Sequence, residues 1–304
     1  MKSGKCIEYL AFMVCIVLIV ASCRSDRSKK SQSIDRDDMS VGGALEEVNE
    51  IKKVYHLCPS PSEMLEVIDF TNLEFDEKLP NPVDFADRYL DTRSMTLNLG
   101  VYTSDLAYCA AFGRHEKAID LLEVIQNLTE KIHLSGANSQ RLINRIRQNI
   151  ESLDSLYQIS NEAFIDVIQF CELNQRYNSM VLISSGAFIE SLYLAIKMTG
   201  GYNQESYMIQ HLADQKLVLD NLMARAESYT EDPDVSWTME VLKPVKDIYD
   251  QLEQSEMKTT VKKDNPDHLV ITGGKKIILS EEQYNKLLST TIEIRNKITR
   301  NENK

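Results

Sequence analysis

The chain has 304 residues, with 46 Asp and Glu against 34 Lys and Arg, and a formal net charge of −12. This acidic balance argues against binding to nucleic acid and against electrostatic docking on an anionic lipid surface. The roughly 260 residues of the predicted mature domain are enough to bury nearly three quarters of its surface in one core.

The first 22 residues are typical of a secretory signal peptide. Lys2 and Lys5 give the positive start, an apolar run follows, and small residues precede Cys23. The run is too short to span a bilayer comfortably, since a span needs about 20 residues. Val20-Ala21-Ser22-Cys23 resembles the lipobox of bacterial lipoproteins, which implies a diacylglyceryl group on the Cys23 thiol, cleavage before Cys23 and acylation of the new amino terminus with a fatty acid such as palmitate. The alternative is an ordinary signal peptide or an uncleaved anchor.

Residues 23–43 are predicted to be the lipidated cysteine and a flexible tether. The segment is rich in Ser, Arg, Lys and Asp and has few apolar side chains, so it cannot bury enough surface to offset the entropy of ordering. In lipoproteins an aspartate after the cysteine often favours retention in the inner membrane, whereas this chain has Arg24 there. The resemblance therefore implies a cell-envelope lipoprotein of the outer membrane that faces the periplasm.

Residues 44–304 are predicted to form a single, mostly helical domain. Apolar residues recur at helical spacing from about residue 45 to 254, and Pro and Gly residues separate the stripes. In chain order, we predict helices near 44–56, 62–70, 82–89, 92–112, 115–133, 138–151, 153–174, 177–199, 204–227 and 234–253. Pro244 is expected to kink or split the last of these helices.

The pattern changes to short strand-like runs at residues 259–279, which predicts a small antiparallel β-meander. Asp264-Asn265-Pro266-Asp267 and Gly273-Gly274 separate the runs. Ser280 with Gln283 three residues later is typical of a capping box, which opens a last helix over 281–300. The predicted fold class is thus all-α, a multi-helix bundle or array with this meander before the C-terminal helix.

Two helices are apolar on most faces and are predicted to lie at the centre, 97–112 and 180–198. Both carry a glycine, an aromatic residue two positions later and a leucine four further on, which hints at a duplicated unit. Both also carry an acidic residue among apolar neighbours, Asp105 in the first and Glu190 in the second. Buried carboxylates need partners. The candidate ligand-facing pocket is therefore Asp105 and Glu190 with Tyr102 and Tyr108; alternatively, one or both acids lie at the surface or bind a neighbouring backbone.

The sequence predicts no catalytic residue, metal site or cofactor. Glu130 and His133 match one step of a helical di-iron site, but no second copy is present. The mature part after Cys23 has three further cysteines, Cys58, Cys109 and Cys171. At most one pair of them could form a disulfide, and the sequence does not say which pair. Cys109 and Cys171 lie in apolar helical patterns, which favours a buried structural role.

The order of segments resembles a group of uncharacterised helical lipoproteins of Gram-negative bacteria. The likeness lies in Leu79-Pro80-Asn81-Pro82-Val83, in the segment from Leu97 to Leu106, in Gly186 with Glu190, and in the strand-rich tail. It implies no activity. Two functions stay open: a non-catalytic binding or scaffold module for an envelope protein, peptide or small ligand, and a hydrolase or other enzyme that uses Asp105 and Glu190. The expected partners are the membrane, through the lipid anchor, and such an envelope protein or peptide.

Overall fold

Seven α-helices, a short 3-10 helix and one two-stranded sheet are the elements whose bounds the computed structural model gives. It describes residues 60, 61, 65, 73–134, 144, 153–265 and 268–299, with the backbone alone at 153–156 and 256–275. The elements are the 3-10 helix Val83–Arg88, α1 Thr92–Ala111, α2 His115–Lys131, α3 Leu153–Leu173, α4 Tyr177–Met198, α5 Tyr207–Glu227, α6 Pro233–Asp250, β1 Glu253–Asn265, β2 His268–Ile278 and α7 Glu281–Thr299. This architecture confirms the predicted all-α class.

Some predicted segments lie outside the described residues. All described residues belong to the unit Glu50–Lys304, so the predicted signal peptide and tether, 1–43, are not among them. The same holds for nearly all of the helices predicted at 44–56, 62–70 and 138–151.

Local sequence signals explain where several helices begin and end. Asp232 caps α6 by accepting hydrogen bonds from the backbone N–H groups of Asp234 and Val235. At α7 the capping box is confirmed, because the Gln283 N–H donates to Ser280 Oγ and the Ser280 N–H donates to Gln283 Oε1. The α1–α2 turn is closed by Gly113 in the left-handed region, at φ +64°.

Pro244 does not split α6, which runs from Pro233 to Asp250 as one helix. Pro244 and Glu240 are both exposed. Because the proline removes the N–H donor for the Glu240 carbonyl on this exposed face, water can hydrate that carbonyl instead. The expected split is therefore absent.

The helices α1 and α4 form the centre of the fold and contact each other more extensively than any other pair of described helices. Gly100 and Gly186 allow this approach. A Cβ atom at Gly100 would lie 2.0 Å from the Ile183 carbonyl oxygen, and one at Gly186 would lie 1.9 Å from the Leu97 carbonyl oxygen. The two glycines are therefore required for the close contact of the two backbones.

Serine hydroxyls link the same two helices across this contact. Ser104 Oγ donates to the Ala187 carbonyl oxygen at 3.0 Å, and Ser191 Oγ donates to Ser104 Oγ at 3.0 Å. Both serines are buried. The polar groups of the contact thus satisfy one another in the core, as buried hydroxyls require.

The antiparallel sheet before α7 is a hairpin of two long strands. Glu253 pairs with Ile278, and Asn265 pairs with His268. Gly274 lies inside β2, opposite Met257, and not in a turn. The three short runs of the predicted meander are therefore joined into two strands, in which the glycine pair coincides with a register irregularity.

The cysteines of the described residues have a structural role. Cys109 and Cys171 are buried and form no disulfide, which confirms the burial expected at these two positions. Burial raises the pKa of the Cys109 thiol, so the thiol stays protonated at neutral pH. Cys58 lies outside the described residues.

Candidate functional site

The contact between α1 and α4 brings the two predicted carboxyl groups together. Asp105 and Glu190 both have a relative exposure of 0%, and their carboxyl groups share a hydrogen bond. Neither residue lies at the surface, so that alternative is wrong. The other alternative holds in part, because Asp105 Oδ2 also accepts a hydrogen bond from the backbone N–H of Asn81 at 3.0 Å.

Arg295 of α7 supplies the positive charge for this cluster. Its Nε donates to Glu190 Oε2 at 2.6 Å, and its Nη2 donates to Glu190 Oε1 at 2.8 Å. The guanidinium lies over the Tyr193 ring, 4.2 Å from its centroid. Glu190 therefore has a bidentate, charge-assisted partner, which is the geometry in which a buried carboxylate is best stabilised.

A single guanidinium lies near two buried carboxyl groups. One of the two therefore keeps its proton. Burial raises the pKa of Asp105 well above its usual range, the charge of Glu190 raises it further, and Arg295 opposes both effects. Among the described residues, no N–H group or hydroxyl donates to Asp105 Oδ1. A proton on Asp105 agrees with both facts. Asp105 is thus the neutral acid of the pair, and Glu190 is the carboxylate.

The cluster holds an irregular segment, Asp76–Pro82, which we call the strap. Arg295 Nη2 donates to the Leu79 carbonyl oxygen at 2.9 Å, and the Asn81 N–H donates to Asp105. Leu79 and Asn81 are buried although they belong to no helix or strand. Their backbone groups therefore take their partners from the side chains of the cluster, which removes the cost of burying them unpaired.

The two tyrosines of the predicted pocket also bind the strap. Tyr102 donates its hydroxyl to the Pro82 carbonyl oxygen at 2.9 Å, and the Asp76 N–H donates to the Tyr108 hydroxyl at 3.0 Å. Burial raises the pKa of Tyr108 to about 12. Both hydroxyls are thus used in holding the strap to α1, and neither is a donor to the carboxyl pair.

A second chain of hydrogen bonds joins the strap to the end of α7. Asn81 Nδ2 donates to the Tyr89 hydroxyl at 3.0 Å, and that hydroxyl donates to the Thr299 carbonyl oxygen at 2.8 Å. Asn98 Nδ2 donates to the Ile298 carbonyl oxygen at 3.0 Å. The last carbonyl groups of α7, which lack helical partners, are satisfied in this way.

This arrangement stabilises the fold and leaves no room for a reaction between the carboxyl groups. In glycosidases the two carboxyl groups stand about 5 to 9.5 Å apart, so that substrate or water fits between them. Here they bind each other, Arg295 and the strap, and both are fully buried. Among the described residues, no group of three His, Cys, Asp or Glu side chains could hold a metal ion.

Sequence reasoning missed Arg295, Asn81 and Tyr89. Arg295 had a detectable signal, because it falls on the apolar stripe of the last helix, between Thr291 and Ile298 at helical spacing. A charged residue on the buried face of a helix needs a buried counter-charge. Asn81 and Tyr89 carry no comparable signal, since their partners are 8 to 210 residues away.

Helix α4 is the one described helix that is long and apolar enough to cross a membrane, by length and composition alone. The apolar window is 94% buried inside the protein, as in the core helix of a globular domain. Comparison of the chain with protein-family models, curated proteins and solved structures finds no match.

Proposed function

We propose that the chain is a lipid-anchored protein of the bacterial cell envelope, whose helical domain is a non-catalytic binding or scaffold module for a protein, peptide or small ligand. The leader, the cysteine after small residues and the polar tether support the anchor. Arg24 after the cysteine supports an outer-membrane location facing the periplasm.

The closed carboxyl cluster, Asp105 and Glu190 with Arg295, is the observation that supports a non-catalytic function. The two acids that the sequence singles out are buried and bind protein groups, namely each other, Arg295 and Asn81. A buried, internally satisfied network specifies a fold. Binding by this domain is therefore assigned to its surface, and the carboxylate-pair enzyme stays a prediction that this arrangement does not favour.

The anchor is tested by the substitution Cys23→Ser in the native host. We expect the altered protein in the soluble envelope fraction, because it lacks the acyl chains, each methylene of which contributes about 0.8 kcal/mol when buried in lipid. Cys15→Ser is the matched control, because it makes the same change within the leader, and it should leave the protein with the membranes. Intact-mass analysis of the wild-type protein should show acyl chains on Cys23. A bare Cys23 thiol would contradict the anchor.

The binding function is tested by cross-linking in intact envelopes and capture of the tagged protein. We expect the same cross-linked partner with two independent tag positions and under more than one growth condition. Absence of a defined partner under all conditions counts against the binding function.

A further inference from the structure

Two neighbouring cavities follow one face of α2. The first, about 470 Å³, lies between α2 and the strap with the residues around it. The second, about 260 Å³, lies between α2 and the 3-10 helix. Both are lined by Val83, Asp84 and Asp120, so they are adjacent at these residues. We call the whole surface the α2 groove.

The α2 groove has the length of a short extended peptide. It runs from Lys117 to Lys131 on α2, which at 1.5 Å per residue is about 21 Å. An extended chain rises about 3.3 Å per residue, so about six residues span this length. The combined volume lies within the range of ligand sites, about 300 to 1,000 Å³.

Apolar side chains contribute to the inner wall of the α2 groove, which is mainly apolar in the larger cavity and mainly polar in the smaller one. Val83, Leu121, Val124 and Leu128 line it, and all four belong to the hydrophobic core or pack against it. Cys109, a fully buried free thiol, also lines the larger cavity. Apolar side chains of an occupant can therefore be removed from water against this wall, which is the main favourable contribution to binding.

The α2 groove is lined by more carboxylates than lysines. Asp84 and Asp120 stand at the junction of the two cavities, are exposed, and have no ion-pair partner among the described residues. Glu77, Asp87 and Glu123 are further carboxylates of the lining, against Lys78, Lys117 and Lys131, and Lys131 pairs with Asp87 at 3.9 Å. The lining thus has an excess of negative charge, which complements a basic occupant.

We propose that the α2 groove binds an extended peptide segment of a partner protein, with a Lys or Arg side chain between Asp84 and Asp120 and apolar side chains against Leu121 and Val124. This inference rests on the proposed binding function and gives it a site and a partner chemistry. The exposed carboxylates set the preference for a basic residue, and the apolar wall supplies affinity.

The test uses the detergent-solubilised mature protein and a fluorescent capped hexapeptide, Ser-Val-Lys-Val-Ser-Gly. Fluorescence polarisation should show saturable binding with a Kd below about 1 mM. The same peptide with Glu in place of Lys should bind about fivefold to tenfold more weakly, the range expected for partly exposed charges. This preference should weaken as salt is raised.

A charge swap makes the site assignment specific. The variant Asp84→Lys with Asp120→Lys should prefer the Glu peptide, whereas the control Glu240→Lys with Glu293→Lys should keep the preference for Lys. The control changes the net charge equally at two exposed carboxylates of α6 and α7. All four side chains are exposed, so both variants should fold, and circular dichroism checks this.

The possible outcomes separate this inference from the proposed function. No saturable binding of the Lys peptide, or an equal preference in both variants, overturns the groove assignment. Tighter binding of spermidine, a free polyamine, than of the Lys peptide also overturns the peptide assignment. If envelope cross-linking recovers the same partner from wild type and from the groove variant, the binding function stands and its place in the α2 groove fails.

Discussion

Asp105 and Glu190 have the same functional group, but their surroundings give them different protonation states. Glu190 receives two charge-assisted hydrogen bonds from Arg295, whereas Asp105 receives one N–H group from the strap. Because both are fully buried, the single cation cannot balance two ionised acids at low cost. The proton on Asp105 therefore resolves the charge balance of the core.

The substitution Asp105→Asn tests this assignment by its dependence on pH. A raised pKa in the folded state means that the contribution of Asp105 to stability is complete below its unfolded pKa, near 4, and is lost as pH rises towards the folded value. Asn stays neutral and keeps a donor towards Glu190. The free energy of unfolding of the variant, relative to wild type, should therefore rise between pH 5 and pH 8, by about 1 kcal/mol or more. Urea unfolding at several pH values measures it, and a pH-independent difference would contradict the assignment.

The substitution Glu190→Gln tests the ion pair. It leaves the guanidinium of Arg295 in the core without its counter-charge, and breaking one partner of a buried pair costs about 3 to 5 kcal/mol. Asp105 lies close to the same guanidinium and can ionise in response, so the loss should be smaller at pH 8 than at pH 5. Chemical unfolding of both proteins measures the cost. The control Glu293→Gln removes an exposed carboxylate of α7 and should change stability by less than about 0.5 kcal/mol.

At the scale of the elements, the contact of α1 with α4 depends on two residues that lack side chains. Each glycine faces a backbone carbonyl of the other helix, and a backbone carbonyl cannot move aside as a flexible side chain can. The helix pair therefore has no space for a side chain at either glycine.

The substitution Gly100→Ala should destabilise the protein by about 3 kcal/mol, the upper end of the range for overpacked cores, because the new methyl group would lie 2.0 Å from the Ile183 oxygen. Gly200→Ala is the contrasting variant. It has nothing within 4 Å of the added atom, and its cost is the backbone strain at φ +66°, about 1 kcal/mol. Thermal unfolding compares the two. Equal costs would show that the helices separate without penalty.

The sequence was most informative about the helices and their place in the fold. The stripes of α1 and α4 predicted their central place, because a helix that is apolar on most faces can satisfy its surface only by burial. Asp105 and Glu190 were found for the same reason, as charges among apolar neighbours. The strap was not found, because an irregular segment has no period and its partners are side chains scattered over α1, α4 and α7.

At the scale of the whole molecule, the first and last described segments meet on the central pair. Arg295 contacts Glu190, 105 positions earlier, and Leu79, 216 positions earlier. Contacts of this kind depend on the complete fold, so local pattern cannot predict them. The fold class and most helix boundaries follow from the sequence, whereas the closure of the carboxyl cluster follows from the tertiary structure alone.

Arg295 lies on the last described helix, which has a consequence for folding during synthesis. Until the ribosome has made α7, the nascent chain holds Asp105 and Glu190 without their cation and the Leu79 carbonyl oxygen without its donor. The carboxyl cluster therefore cannot close until α7 has left the ribosome and packed against α4.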